Sequence, residues 1–171
     1  MHKLIVLAVV AFAVGGCVTP QKVNISSSFD AAQASQMLEK GSNSLRGSAL
    51  IRQRGGGVVT CAGQDVVLAP ATAYASERVK AIYGSEDGGF NPVFGGRRVS
   101  FESEPPEFKT LILTTRCDAQ GYFKFDQVAN GSFYVVTLIT WKVSDYVTEG
   151  GHLCQRITLN GGESKEIVLS P

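Results

Sequence analysis

The sequence predicts a mainly β fold: an antiparallel sandwich with one short N-terminal helix and one further helix carried in an insertion. Three observations predict it. From residue 108 onward, apolar runs of strand length follow one another with only turn-sized gaps, at Asn130-Gly131 and at Asn160-Gly161-Gly162. Gaps so short leave no room for crossover helices, and strands joined that way run antiparallel. Apolar and polar residues also alternate, as around Phe123 and Phe125, which is the period of a strand with one buried face.

Taken in order, the chain opens with a short basic stretch, His2-Lys3, an apolar run from Leu4 to Val14, and then Gly15-Gly16-Cys17. The run is too short for a permanent membrane span, and its three parts come in the order and length of a secretory signal. An ordinary signal with an incidental cysteine, or an apolar core segment, accounts less well for that order. Val14-Gly15-Gly16-Cys17 moreover resembles a bacterial lipobox, which implies that residues 1–16 are a lipoprotein signal peptide. Cys17 is then the lipid attachment site and the mature N-terminus, and several acyl chains anchor a protein stably where one is marginal. Val18 in place of Asp after the cysteine favours the outer membrane, by resemblance to known sorting.

Residues 17–29 are polar and β-branched without a period, as expected of a tether. Within 30–44, Asp30 reads as an N-cap with Gln33 in capping-box position. Ala31, Ala34, Met37 and Leu38 share a helical face, and Gly41 is the expected stop. The sandwich domain is read as 45–171. Its first strand places Leu45, Gly47, Ala49 and Ile51 on one side; a loop, 52–63, and the strand QDVVLAP follow. Residues 71–108 are read as the insertion. It holds a helix ending at Gly84, with Ala75, Val79, Ile82 and Tyr83 on one face, and a long glycine-rich surface loop over 84–98. FKTLILTTRC, GYFKF, GSFYVVTLITW, HLCQRITL and KEIVLSP supply the remaining strands.

Removing residues 1–16 takes one lysine, so the 15 acidic residues are matched by equal numbers of basic ones. A neutral chain carries no electrostatic footprint for nucleic acid. Cys61, Cys117 and Cys154 remain; in an oxidising compartment one pair and one odd thiol are expected, and spacing alone does not say which.

Several segments together resemble one family. Gly47-Ser48-Ala49, Val66-Val67-Leu68, Thr114-Thr115-Arg116-Cys117-Asp118, Gly121-Tyr122-Phe123-Lys124-Phe125 and Gly131-Ser132-Phe133-Tyr134-Val135-Val136 are similar to the carboxypeptidase regulatory-like domain, a transthyretin-like (prealbumin-like, Ig-like) sandwich. The resemblance covers about 45–170 and departs from the family at 71–108. It implies a fold and no activity, since the metallopeptidase centre belongs to a separate domain. The residue types agree with it: Asp118 can take backbone N–H groups of the turn it starts, and Gly121 tolerates a positive φ. The implied sandwich sets 110–116 antiparallel to 65–69, which brings Cys117 near Cys61. The resemblance therefore implies a Cys61–Cys117 disulfide, with Cys154 facing outward, free or partly covered.

No pattern for catalysis stands out. His152 and Cys154 form His-x-Cys, two ligands where a structural metal needs about four. Gly55-Gly56-Gly57 lacks the ending of a phosphate loop, and no Gly-x-Ser-x-Gly elbow occurs. Glu86 and Asp87 supply too few oxygens for calcium. Glu102, Glu104 and Glu107 lie among prolines in what reads as an exposed, extended segment. No cofactor, no metal and no enzymatic activity are expected. The expected function is that of a lipid-anchored envelope protein, a structural or protein-interaction module; the alternative is a carbohydrate- or peptidoglycan-binding lipoprotein, and a small envelope hydrolase ranks below both. Partners are then the membrane and another envelope protein or cell-wall glycan. Candidate ligand contacts are Tyr83, Phe90, Phe94 and Trp141, with Tyr74 and Tyr146 near them, because glycine-rich loops rarely keep phenylalanines that cover nothing.

Overall fold

The computed structural model describes residues 19–171, so the segment expected to be a signal peptide, 1–16, and the expected lipid site Cys17 lie outside the described residues. The elements in chain order are β1 Gln21–Val23, α1 Ala31–Met37, β2 Asn43–Arg52, β3 Val58–Thr60, β4 Asp65–Pro70, α2 Ala73–Tyr83, β5 Gly88–Pro92 and β6 Val99–Phe101. A turn of 3-10 helix at Pro106–Lys109 leads to β7 Leu113–Arg116, β8 Tyr122–Val128, β9 Gly131–Lys142, β10 Thr148–Leu159 and β11 Ser164–Leu169.

Two sheets face each other. The first runs β5-β10-β9-β4-β7, antiparallel throughout. In the second, β2 has β11 on one side, with β8 and β3 end to end on the other. Alternation decides what lies between them: Leu45, Ala49 and Ile51 from β2, Phe123 and Phe125 from β8, Phe133, Val135 and Ile139 from β9, and Leu153, Ile157 and Leu159 from β10 form one buried core. The mainly β sandwich with two helices is therefore the architecture. One pairing within it departs from the antiparallel expectation: β11 lies parallel to β2, with Ile167 opposite Gly47. A side chain at Gly47 would strike the Phe123 ring and the Ile167 backbone, so glycine is what lets these strands close.

Cys61, just past β3, is bonded to Cys117, just past β7, so the disulfide staples one sheet to the other. The turn that follows has the expected chemistry. Asp118 Oδ1 accepts from the N–H groups of Gln120 and Tyr122 at 2.9 Å each, and Gly121 sits at φ 88°.

Four local expectations are corrected. The first helix stops at Leu38, whose N–H turns back to Ser35 and Gln36. Gly41 instead lies so close to Val128 and Ala129 that a Cβ there would overlap backbone. The 52–63 segment is not all loop, since Val58–Thr60 pairs with Leu50–Arg52. The glycine-rich 84–98 segment supplies β5, an edge strand on β10. Finally, the polar segment before Asp30 is not a free tether along its length, because Gln21–Val23 pairs in parallel with Val99–Phe101.

Candidate functional site

The four aromatic residues singled out from the sequence do not share a surface. Tyr83 ends α2 and packs beside Ala75, Val79, Tyr134 and Cys154 on the outer face of the first sheet, where burial and the neighbouring Cys154 thiol raise its phenol above the ordinary range. Phe90 and Trp141 lean on the inner core, on the opposite face. Phe94 stands 83% exposed in the turn after β5. They are framework at two places and a loop tip at a third.

A groove of about 490 Å³ lies elsewhere, along β8 where its edge approaches β7. That volume is in the range of small-ligand sites. Register explains its lining. Glu166, Arg46 and Lys124 stand opposite one another in a charged row across β11, β2 and β8. The next row on the same outer face is Val168, Ser48 and Tyr122, and the Tyr122 ring is 57% exposed. Arg116 closes the β7 side, its guanidinium bonded to Asp65 at 2.9 Å, which raises its pKa further; Asp118 forms the floor of the turn. An exposed ring beside carboxylate, ammonium and guanidinium groups can stack on an apolar ligand face and hydrogen-bond its edges. Sequence reasoning passed over Tyr122 because it sits inside the turn motif; the signal was its position, out of phase with buried Phe123 and Phe125.

Cys154 and His152, the His-x-Cys pair of β10, are both desolvated. Cys154 is buried beneath α2, and desolvation pushes its thiol up to about 12, which removes the thiolate a nucleophile requires. His152 is held below its ordinary pKa by partial desolvation. Among the described residues no three His, Cys, Asp or Glu side chains gather as a metal site, and no helix is long and apolar enough to cross a membrane.

The insertion forms an outer layer over the first sheet. Tyr134 rises from β9 to donate to the Glu86 carbonyl at 2.7 Å, with Ser76 Oγ at 3.0 Å. Arg78 lies over the Phe101 ring at 3.7 Å, near those of Phe108 and Tyr74, and pairs with Glu104 at 2.5 Å. The Glu104 carboxyl is held below the usual range, first by Lys109 and then by Arg78. Glu102 pairs loosely with Lys22 at 3.7 Å. Glu104 is thus partly covered and paired, whereas the sequence reading had it exposed. Across this layer runs the N-terminal segment: Ser26 and Ser27 give four hydrogen bonds of 2.5–3.1 Å to the Glu77 carboxylate. Those bonds, the Ser27 hydroxyl first, lower its pKa to about 2. Phe29 then packs on Tyr74 and Phe108.

No protein-family model and no curated protein sequence matches the chain. Among solved structures it is similar to a protein of Pseudomonas aeruginosa described as a candidate carbohydrate binding protein, with 23% identity and a TM-score of 0.70. The match covers 85% of this chain and 99% of that one, a likeness of fold.

Proposed function

We propose that this protein is a non-catalytic binding module of the cell envelope, a lipoprotein with a carboxypeptidase regulatory-like sandwich, and that its ligand is a carbohydrate taken in the groove along β8. The observation that carries this reading is the Tyr122 ring, exposed in line with Ser48 and Val168 and bordered by the row Glu166, Arg46 and Lys124. A pyranose offers an apolar C–H face to such a ring and hydroxyls to the flanking charged groups. The carbohydrate-binding description of the Pseudomonas aeruginosa neighbour supports the same class of ligand. The lipobox at Val14–Cys17 supports an outer-membrane anchor, with the sandwich facing the periplasm or the exterior.

Retention on gels or columns bearing peptidoglycan or polysaccharides tests the binding. Tyr122→Ala is expected to weaken it by about tenfold, about 1.4 kcal/mol, with an unchanged melting temperature. Retention by the intact protein that Tyr122→Ala and Arg46→Ala both leave untouched would remove this groove as the site. Phe90→Ala and Trp141→Ala serve as contrasts, because both rings lean on the core and their loss lowers stability first. The anchor is tested separately: Cys17→Ala should abolish membrane association and the lipid mass.

A further inference from the structure

Of the eight large apolar side chains most exposed in the described chain, five sit at one end of the first sheet. Val93 and Phe94 form the turn after β5, and Val143, Tyr146 and Val147 form the tip of the β9–β10 hairpin; Tyr146 is 98% exposed. Two contacts place these loops side by side. Pro92 stands opposite Gly151, and the Val93 N–H donates to the Gly150 carbonyl at 2.9 Å.

The N-terminal segment leads to the same end. Asn91 clasps Arg97 through two hydrogen bonds, of 2.8 and 3.0 Å, and the Gln21 N–H donates to the Arg98 carbonyl at 2.7 Å. Because β1 is parallel to β6, residues preceding Gln21 run in the sense of residues preceding Val99, back toward the turn that bears Phe94. From there the segment crosses α2 in the other direction, to Glu77 and then Tyr74. The chain thus leaves the domain beside its most apolar loops.

We propose that this end of the sandwich is a membrane-contact surface, with Phe94 and Tyr146 seated at the lipid interface; the inference rests on lipidation of Cys17. Only Val18, Thr19 and Pro20 separate Cys17 from Gln21, so an extended chain spans about 14 Å at most. An acylated Cys17 therefore holds this end within reach of the bilayer surface. The Tyr146 ring, with its polar tip, favours that interface, and the Phe94 ring adds apolar area to bury there. Lys22, Arg97, Arg98 and Lys142 stand against Glu102, Asp145 and Glu149, a near balance, so the apolar tips carry the contact and added salt leaves it in place. The Tyr122 groove lies between β8 and β7, and β7 is the edge of the first sheet opposite β5.

The test uses the full-length lipidated chain in vesicles of phosphatidylethanolamine and phosphatidylglycerol that include brominated phospholipid. In a Trp141→Phe background, tryptophan is placed by Phe94→Trp or, as the control at the opposite end of the sandwich, by Lys40→Trp, exposed next to Gly41, whose N–H bonds the Gln127 carbonyl near the start of β9. Quenching is expected to be several-fold stronger at position 94 than at 40, in low and high salt alike. Lipidated, vesicle-bound protein with equal quenching at both positions overturns the inference alone, as does crosslinking of position 94 to another protein in place of lipid. Intact mass read in parallel separates the two claims: a Cys17 without lipid overturns the anchor and this surface together.

Discussion

Asn43 is the residue on which one end of the sandwich closes. Its amide nitrogen donates to the Val128 carbonyl at 2.9 Å and to Asn130 Oδ1 at 3.0 Å. Its oxygen accepts the N–H groups of Gly162 and Glu163, at 2.9 and 3.0 Å. One buried side chain thereby ties the turn before β9 to the turn before β11. Asn43→Ala strands these partners away from water and should cost about 2 kcal/mol or more; a loss under about 0.5 kcal/mol in urea melts, typical of a surface change, would refute the role. Glu77 acts at the same scale but on the surface. Its folded pKa lies below its ordinary value, so the bonds to Ser26 and Ser27 add stability above pH 4.5, and that contribution fades as pH falls toward about 2. Hydrogen exchange in the 21–29 segment should accelerate across that window while the core strands stay protected. Glu77→Gln should show the fast exchange already at neutral pH.

Among the elements, legibility followed periodicity. β2 and β8 could be read because alternating apolar residues report a buried face, β4 and β9 as apolar runs of strand length, and α2 because Ala75, Val79, Ile82 and Tyr83 share a face and Gly84, at φ 86°, ends it. β5 was hidden, since GGFNP has little strand propensity. The glycines of the β5–β10 pair answer instead to proximity: a Cβ at Gly88 would overlap the Cys154 carbonyl, and one at Gly151 in β10 the Phe90 ring and the Asn91 carbonyl. β1 was hidden for another reason. Gln-Lys-Val becomes a strand only because Val99–Phe101 lies beside it, far along the chain. The insertion layer depends on Arg78 between its rings and Glu104. Arg78→Ala should therefore loosen residues 19–29 and 99–110 by hydrogen exchange, with β9 and β10 unaffected; protection lost equally in all of them would mean the layers fold as one.

For the whole molecule, the decisive covalent link joins the two sheets across 56 residues of sequence. Closing a loop of that length contributes about 4 kcal/mol in the chain-entropy account. The Cys61→Ser, Cys117→Ser double variant should lose stability of that order in denaturant melts, and an unchanged midpoint would show that the core alone holds the sheets together. Cys154 takes no part, being covered by α2. Strand order also separates the two proposed contacts, with the carbohydrate groove at the β7 edge of the first sheet, against β8, and the apolar loops beside β5 at its other edge.

By itself the sequence determined the sandwich, its two helices, the Asp118 turn and, through a family resemblance, the Cys61–Cys117 pairing. Each of these is set by local period, local turn chemistry or a contiguous motif. Only the tertiary structure decided that Tyr122 lines a groove with Arg46 and Glu166, and that Tyr83, Phe90, Phe94 and Trp141 part company. It alone also decided that the N-terminal segment returns to lie along α2. Those are matters of register between strands distant in sequence. Register depends on which faces bury one another, and no single stretch of the chain carries that information.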